Sequence, residues 1–184
     1  FEKGKITGGA YTIYKTPEAK TEMQKLQGMN LKLSGKLTRF IPETSPLVIA
    51  GGLKWGEMYN YMSNIPMFAM AMAYVPQVKG VMDGLEGDFV MYMTGMGPNG
   101  IPQLALLSEV KDEDVLESLI AQFGGMLQLN KVAERQYSMS MDGIQVNFGV
   151  KDKVLYATNS NEVMMAIEGE KINSLDGKYN HVFK

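Results

Sequence analysis

Apolar residues recur along the chain at both strand and helix spacings, which divides it into short strands and amphipathic helices. Residues 6–14 are rich in β-branched and aromatic side chains and predict a strand. Thr16-Pro17-Glu18 then supplies the cap, the first-turn proline and the acid that begin a helix, which continues to about Leu26. The apolar spacing within 30–42 predicts a brief helix or turn.

A continuous apolar run from Leu47 to Leu53 predicts a strand that is buried on both faces or packed closely at Gly51 and Gly52. Apolar residues then follow at i, i+3, i+4 and i+7 over 55–65 and predict a helix, which the next residue, a proline, ends. A second apolar segment covers 67–82 and contains another proline.

Two strand-like runs, 89–93 and 103–110, flank a turn-rich segment at 95–100 and predict a hairpin. After Asp112, apolar residues at i, i+3 and i+4 predict an amphipathic helix that ends at Gly124-Gly125. This helix has the clearest amphipathic pattern in the chain.

Alternating residues over 129–141, 144–150 and 154–158 predict three antiparallel strands in a meander. A last helix is predicted over 161–167, with Gly169 at its end. We therefore predict an α+β fold: an antiparallel sheet of meander and hairpin strands with amphipathic helices packed on one face.

Strand-to-helix transitions recur at fixed offsets. Lys111 follows Lys54 by 57 positions, and Glu162 follows Glu18 by 144. One interpretation is an internal repeat of strand, helix and meander, and the other is coincidence of similar transitions. The repeat interpretation divides the chain into the tail of a preceding unit at 1–27, a connector at 28–46, a main domain at 47–169 and a polar C-terminal tail at 170–184.

Composition excludes several classes of function. Among 184 residues, Lys and Arg number 18 against 20 Asp and Glu, and no basic run could follow a phosphate backbone, so no nucleic-acid partner is predicted. The chain contains no cysteine, which removes disulfides, thiolate nucleophiles, and zinc or iron-sulfur sites built on cysteine. No apolar stretch reaches the ~18 residues of a transmembrane helix. No cofactor or metal is predicted.

Few residues could carry catalysis. The single histidine, His181, lies in the polar tail and is interpreted as solvated. Glu86 and Asp88 flank a glycine before a strand, and alternation would place both on one face; a carboxylate-based hydrolase is therefore an alternative function. The acids at 112–114 are interpreted as a helix cap. The glycines at 95–100 precede a strand and not a helix, so they predict a hairpin loop and not a phosphate site.

Sixteen methionines are the most unusual feature of the composition. Three pairs are spaced two residues apart: Met70 and Met72, Met91 and Met93, Met139 and Met141. Thioethers bind Cu(I), fill irregular cores or form adaptable apolar surfaces, and core packing is the interpretation adopted.

The segment 67–75 is apolar on every side, so within one domain we expect a core helix. If it is exposed, it marks a ligand or partner surface. The candidate residues of that surface are Met67, Phe68, Met70, Met72 and Tyr74.

Three stretches carry a resemblance to a known family: Phe40 to Val48 (FIPETSPLV), Leu85 to Val90 (LEGDFV) and Val154 to Ser160 (VLYATNS). They resemble large lipoproteins of Bacteroides and relatives that contain a domain of unknown function. The resemblance implies an exported protein held at the cell envelope by an N-terminal lipid, which is not part of this chain. It implies no activity and no site residues.

We therefore predict a noncatalytic cell-envelope or surface domain with a scaffold or binding role, whose partner is a protein or an apolar ligand. One alternative is a carrier of an apolar ligand that uses the methionine-rich segment. The other is the carboxylate-based hydrolase.

Overall fold

Short turns join most of the strands into one sheet. The computed structural model describes residues 13–74, 78–97, 100–114, 117–118, 120 and 129–177. The helices are α1 Pro17–Gly28, α2 Trp55–Ser63, α3 Pro66–Ala73, α4 Val78–Gly84 and α5 Asn161–Glu168, with a 3₁₀ helix at Lys36–Phe40. The strands are β1 Asn30–Leu31, β2 Leu47–Leu53, β3 Leu85–Met96, β4 Pro102–Val110, β5 Asn130–Ala133, β6 Gln136–Met141, β7 Ile144–Lys151 and β8 Val154–Thr158.

The eight strands form one sheet in the order β1-β2-β3-β4-β8-β7-β6-β5, and every neighbouring pair is antiparallel. Two four-stranded meanders are thus joined through their last strands, β4 and β8. The α+β class, the hairpin of β3 and β4 and the meander of β6 to β8 are confirmed. Both transitions behind the 57-residue offset exist, because α2 follows β2 and helical residues begin at Glu113 after β4.

One face of the sheet, the covered face, carries the main core. Its side chains come from alternate positions of the central strands: Val90, Tyr92, Ala105, Leu107, Val154 and Tyr156. The 3₁₀ helix and α5 lie over them and contribute Leu37, Phe40, Val163, Ala166 and Ile167. Burial of this apolar surface is the main source of stability that the fold offers.

Segments expected to be a connector and a polar tail complete this core. The Tyr92 hydroxyl donates a hydrogen bond of 2.7 Å to the Phe40 carbonyl, and burial raises the pKa of Tyr92 well above its usual range. The Leu175 amide donates to the Ile41 carbonyl at 2.9 Å, and Ile172 packs against the same cluster. Residues 36–41 and 172–175 therefore belong to the folded body.

The opposite face of the sheet, which we call the second face, also carries helices, but only at one end of the sheet. Trp55 of α2 packs edge-on against Phe89, with ring centroids 5.4 Å apart. Val81 and Met82 of α4, together with Ile120, pack against a small cluster around Leu85, Val110 and Val150. The structure thus differs from the expectation that helices pack on one face. A strand-to-helix turn can place its helix on either side of the sheet, and the spacing of residues along the chain does not encode the side.

Two strands differ from their predicted form. The run 129–141 contains two strands, β5 and β6, because Arg135 takes a left-handed conformation (φ 57°) and turns the chain without a glycine. β2 is not buried on both faces: Leu47 and Ile49 are exposed on one face, whereas Val48 and Ala50 pack against the main core on the other. The close packing predicted at Gly51 is confirmed: a Cβ there would lie 2.5 Å from the Phe89 ring.

Most other helix predictions are confirmed, with ends that differ by about two residues or less. α1, α2 and α5 match, and Gly169 ends α5 in a left-handed conformation (φ 94°). Between 113 and 120, the described residues are helical, as the spacing predicted, and the remainder of that predicted helix lies outside the described residues. The predicted strand at 6–14 lies almost entirely outside them as well.

Gly149→Ala is expected to destabilise the fold by about 1–3 kcal/mol. The new Cβ would collide with the Arg135 carbonyl oxygen and lie 2.9 Å from the Tyr156 hydroxyl. The measurement is the free energy of unfolding in urea. Gly95→Ala is the matched control, because no described atom beyond the two adjacent residues lies within 4 Å of its Cβ position. Equal stability losses in the two variants would contradict this account of the packing.

Candidate binding surface

The part of the second face that the helices leave open is apolar. The strand register places Leu47 opposite Met93, Ile49 opposite Met91, Met91 opposite Leu106 and Met93 opposite Leu104. We call these six residues the apolar sheet patch. Five of the six are exposed, and their exposed fraction runs from 43% for Met91 to 52% for Leu47.

Antiparallel pairing makes this patch continuous. Directly opposed residues on one face have Cβ atoms ~4.5–5.5 Å apart, so the members of the patch are neighbours across three strands. Single exposed apolar residues are normal on a protein surface, whereas a contiguous group on one face indicates a place where another surface binds.

Helix α3 is the second exposed apolar element. It contains no buried residue, and Met67, Met70 and Tyr74 are 82%, 69% and 86% exposed. Phe68 and Met72 lie on its other side and are half-buried. The Phe68 ring packs edge-on against Tyr59 of α2, with centroids 6.2 Å apart. One stripe of α3 therefore holds the helix to α2, and the opposite stripe faces outward.

The expectation that 67–75 forms a core helix is wrong for the described residues of that segment. α3 packs on α2, and none of the described elements covers its outer side. The other expectation was that an exposed segment marks a ligand or partner surface, and the five candidate residues remain candidates for that role. Val75 lies outside the described residues.

Asp88, one of the two candidate catalytic carboxylates, has a structural role. Its carboxylate accepts hydrogen bonds from the Ser34 amide at 2.9 Å, the Ser34 hydroxyl at 2.8 Å and the Gly35 amide at 3.0 Å. The Asp88 amide donates to Glu109 at 3.0 Å, and Glu109 pairs with Lys36 at 3.0 Å. These contacts fix the loop that begins the 3₁₀ helix, and the hydrogen bond from Lys36 to Glu109 raises the pKa of that lysine.

Glu86 does not share this environment. A bulge in β3, with Gly87 at φ 66°, interrupts the alternation between the two carboxylates, and Glu86 is exposed while Asp88 is buried. Glu86 lines a cavity of about 280 Å³ together with Lys36, Glu109 and Lys153. With Asp88 held by backbone donors, the geometry does not favour a paired-carboxylate site.

The acidic residues at 112–114 cap a helix and also bind the opposite hairpin. The Asp112 carboxylate accepts from the Asp114 amide at 2.9 Å, which confirms the capping interpretation. The Arg135 guanidinium forms ion pairs with Glu113 and Asp114 and lies 3.4 Å from Glu117. The turn between β5 and β6 is thereby held against the start of this helix.

Two candidates from the sequence remain, the glycine-rich loop at 95–100 and His181. Gly97 donates to the Ile101 carbonyl at 2.7 Å and closes the hairpin loop, as predicted. His181 lies outside the described residues, as does the side chain of Met141. In the part of the chain that the structure describes, no group of three or more His, Cys, Asp or Glu could hold a metal, and no helix is long and apolar enough to cross a membrane.

The comparison with known families assigns the chain to one of them. The family model DUF4836, described as a domain of unknown function, matches residues 1–179. The chain belongs to this family. The resemblance to a family that contains a domain of unknown function is thereby confirmed. No curated protein and no solved structure matches the chain.

Sequence reasoning missed Leu47, Ile49, Leu104 and Leu106 as surface residues. Continuous apolar runs indicated buried strands, since apolar side chains usually lie inside. The available signal was the number of helices: the few predicted helices could not cover both faces of a sheet of this width.

Asp88→Asn is expected to lower the free energy of unfolding by about 1–3 kcal/mol. The new amide group would direct hydrogens at Ser34 and Gly35, which are themselves donors. The measurement is urea unfolding, supported by faster hydrogen exchange of those two amides. Glu86→Gln, at an exposed position, is the control, with an expected change within about 0.5 kcal/mol. An unchanged Asp88→Asn variant would contradict the anchoring role.

Glu117→Gln is expected to destabilise the protein at neutral pH and to have no effect in strong acid. The hydrogen bonds from Lys131 and Tyr137 lower the pKa of Glu117. A carboxylate whose pKa is lower in the folded than in the unfolded state stabilises the fold at pH values above its pKa in the unfolded state. This stabilisation is lost as the pH falls through the pKa of the folded state. The measurement is stability against pH. Glu134→Gln controls for removal of one acidic charge, and parallel pH profiles of wild type and Glu117→Gln would contradict the prediction.

Proposed function

We propose that this domain is a noncatalytic binding module that holds a protein partner against the apolar sheet patch and the outer stripe of α3. The observation that supports it best is the concentration of exposed large apolar side chains on one sheet face and one helix. The residues proposed to contact the partner through α3 are Met67, Met70 and Tyr74, with Phe68 and Met72 supporting the helix.

The shape of this surface favours a protein over a small apolar ligand. Small molecules bind in concave cavities that bury most of their surface, whereas the patch is the face of a sheet and the outer stripe of α3 is exposed. A cavity of about 420 Å³ near α2 is lined by Trp55, Lys54 and Glu57 among others, and not by the methionines of α3. The carrier alternative therefore has less support than a flat protein contact.

The composition of the surface fits a partner with apolar side chains. Methionine is flexible and polarizable, so it packs against varied shapes, and the patch and α3 contain Met67, Met70, Met72, Met91 and Met93. No Lys, Arg, Asp or Glu lies among the six patch residues or within α3. A strongly charged partner surface would lose hydration here without compensation.

We further propose, from the resemblance alone, that the full-length protein is exported and held at the cell envelope by a lipid. Cell fractionation with an antibody to this domain tests it. Recovery of the full-length protein from the cytoplasmic fraction would contradict the proposal.

Leu106→Lys and Met70→Lys are expected to reduce partner recovery at least about tenfold, because a lysine buried in an apolar contact costs more than ~1.4 kcal/mol. The measurement is affinity capture from the envelope fraction of the producing cells with the tagged chain, quantified by mass spectrometry. Met165→Lys is the matched control: Met165 is 44% exposed, against 46% for Leu106, but lies on α5 at the covered face.

We expect one partner protein to be captured by wild type and by Met165→Lys, and not by Leu106→Lys or Met70→Lys. Equal retention by all four proteins, or no specific retention by wild type, would contradict it. Circular dichroism of each variant checks that the fold is intact, as expected for substitutions at exposed positions.

A further inference from the structure

The two edges of the sheet differ in how they are protected. At one edge, β5 has four residues, a register shift between Lys131 and Ala133, and a lysine paired with Glu117 at 3.1 Å. Short length, irregularity and charge are the usual means by which an edge strand avoids pairing with another chain. β5 is therefore a protected edge.

The β2 edge has none of these features over most of its length. β1 pairs only with Gly52 and Leu53, which leaves Leu47–Gly51 without an outer neighbour among the described residues. This stretch contains no charged residue and pairs with β3 without a register shift. A regular, uncharged and apolar edge strand is a template for pairing with another extended backbone.

The free backbone groups of this edge can be identified. The Lys54 amide donates to the Met29 carbonyl at 2.8 Å across the β1 side. Outward and inward groups alternate in an antiparallel strand, so Gly52, Ala50 and Val48 also direct their N–H and C=O to that side. The N–H and C=O of Gly52 face β1. The N–H and C=O of Val48 and Ala50 have no hydrogen-bond partner among the described backbone groups.

We propose that β2 is the contact through which two copies of this chain associate, by antiparallel pairing of Leu47–Gly51 around a twofold axis at Ile49. This register places Val48 of one copy opposite Ala50 of the other, so every free donor of the two residues meets a free acceptor. It also places Leu47 opposite Gly51, which has no side chain. The open stretch is thus complementary to itself in length and in hydrogen bonding.

Pairing would join the two sheets and make their apolar patches continuous, because Leu47 and Ile49 lie on the second face of each copy. The contact involves few residues and buries less than the ~1,200 Å² of a stable interface. Association is therefore reversible and depends on concentration. This inference does not depend on the proposed function, since it needs only the purified chain.

A cysteine scan of the cysteine-free chain tests the axis. Opposed residues at a position without hydrogen bonds have Cα atoms about 4.5 Å apart, within the range of a disulfide, so Ile49→Cys should cross-link rapidly under mild oxidation by copper phenanthroline. In the proposed register, the two copies of Leu47 lie roughly 13 Å apart, so Leu47→Cys should not cross-link. Met165→Cys is the collision control, because its exposure of 44% matches the 45% of Ile49.

Sedimentation velocity at increasing concentration is the second measurement. Wild type is expected to sediment increasingly as a dimer, and Ile49→Lys as a monomer, because the two lysines would face each other at the axis. A monomeric wild type at every concentration overturns the proposal, as does Ile49→Cys cross-linking no faster than Met165→Cys. Equal cross-linking of Leu47→Cys and Ile49→Cys overturns the register. A β2 edge that pairs only with a strand of another protein overturns the self-association.

Discussion

The structure depends on closing one face of a wide antiparallel sheet with very little helix. The 3₁₀ helix, α5 and residues 172–175 cover that face, and two anchors hold the 3₁₀ segment in place: the hydrogen bond from Tyr92 to the Phe40 carbonyl and the contacts of Asp88 with Ser34 and Gly35. The 3₁₀ helix has few hydrogen bonds of its own, so its position depends on these long-range contacts. With it in place, the central strands have a complete core on one side.

The second face then has only the helices at one end, around Trp55 and Phe89. The remaining apolar side chains of β2, β3 and β4 stay at the surface, on strands whose other side is firmly packed. A surface of this kind is rigid in its backbone and adaptable in its side chains. This combination suits the binding role proposed above.

The sequence predicted the elements well and their surroundings less well. Periodicity identified α1, α2, α5 and the β3–β4 hairpin because spacing along the chain reports which side chains share a face. It did not report which face of the sheet a helix covers, so it did not identify Leu106 and α3 as exposed. The turn at Arg135 was missed because a non-glycine residue adopts the left-handed conformation there. The role of Asp88 depends on contacts more than fifty residues away, which no local pattern encodes.

The methionines of the exposed surface connect it to the redox state of its surroundings. An accessible thioether oxidises to the sulfoxide, which changes a flexible apolar side chain into a polar one, and enzymatic reduction reverses the change. Met67, Met70 and Met91 are exposed, so oxidants reach them without unfolding the protein. Sulfoxide formation at these residues would hydrate the patch and α3 while leaving the covered face intact, so the same folded domain would present a different surface in an oxidising environment.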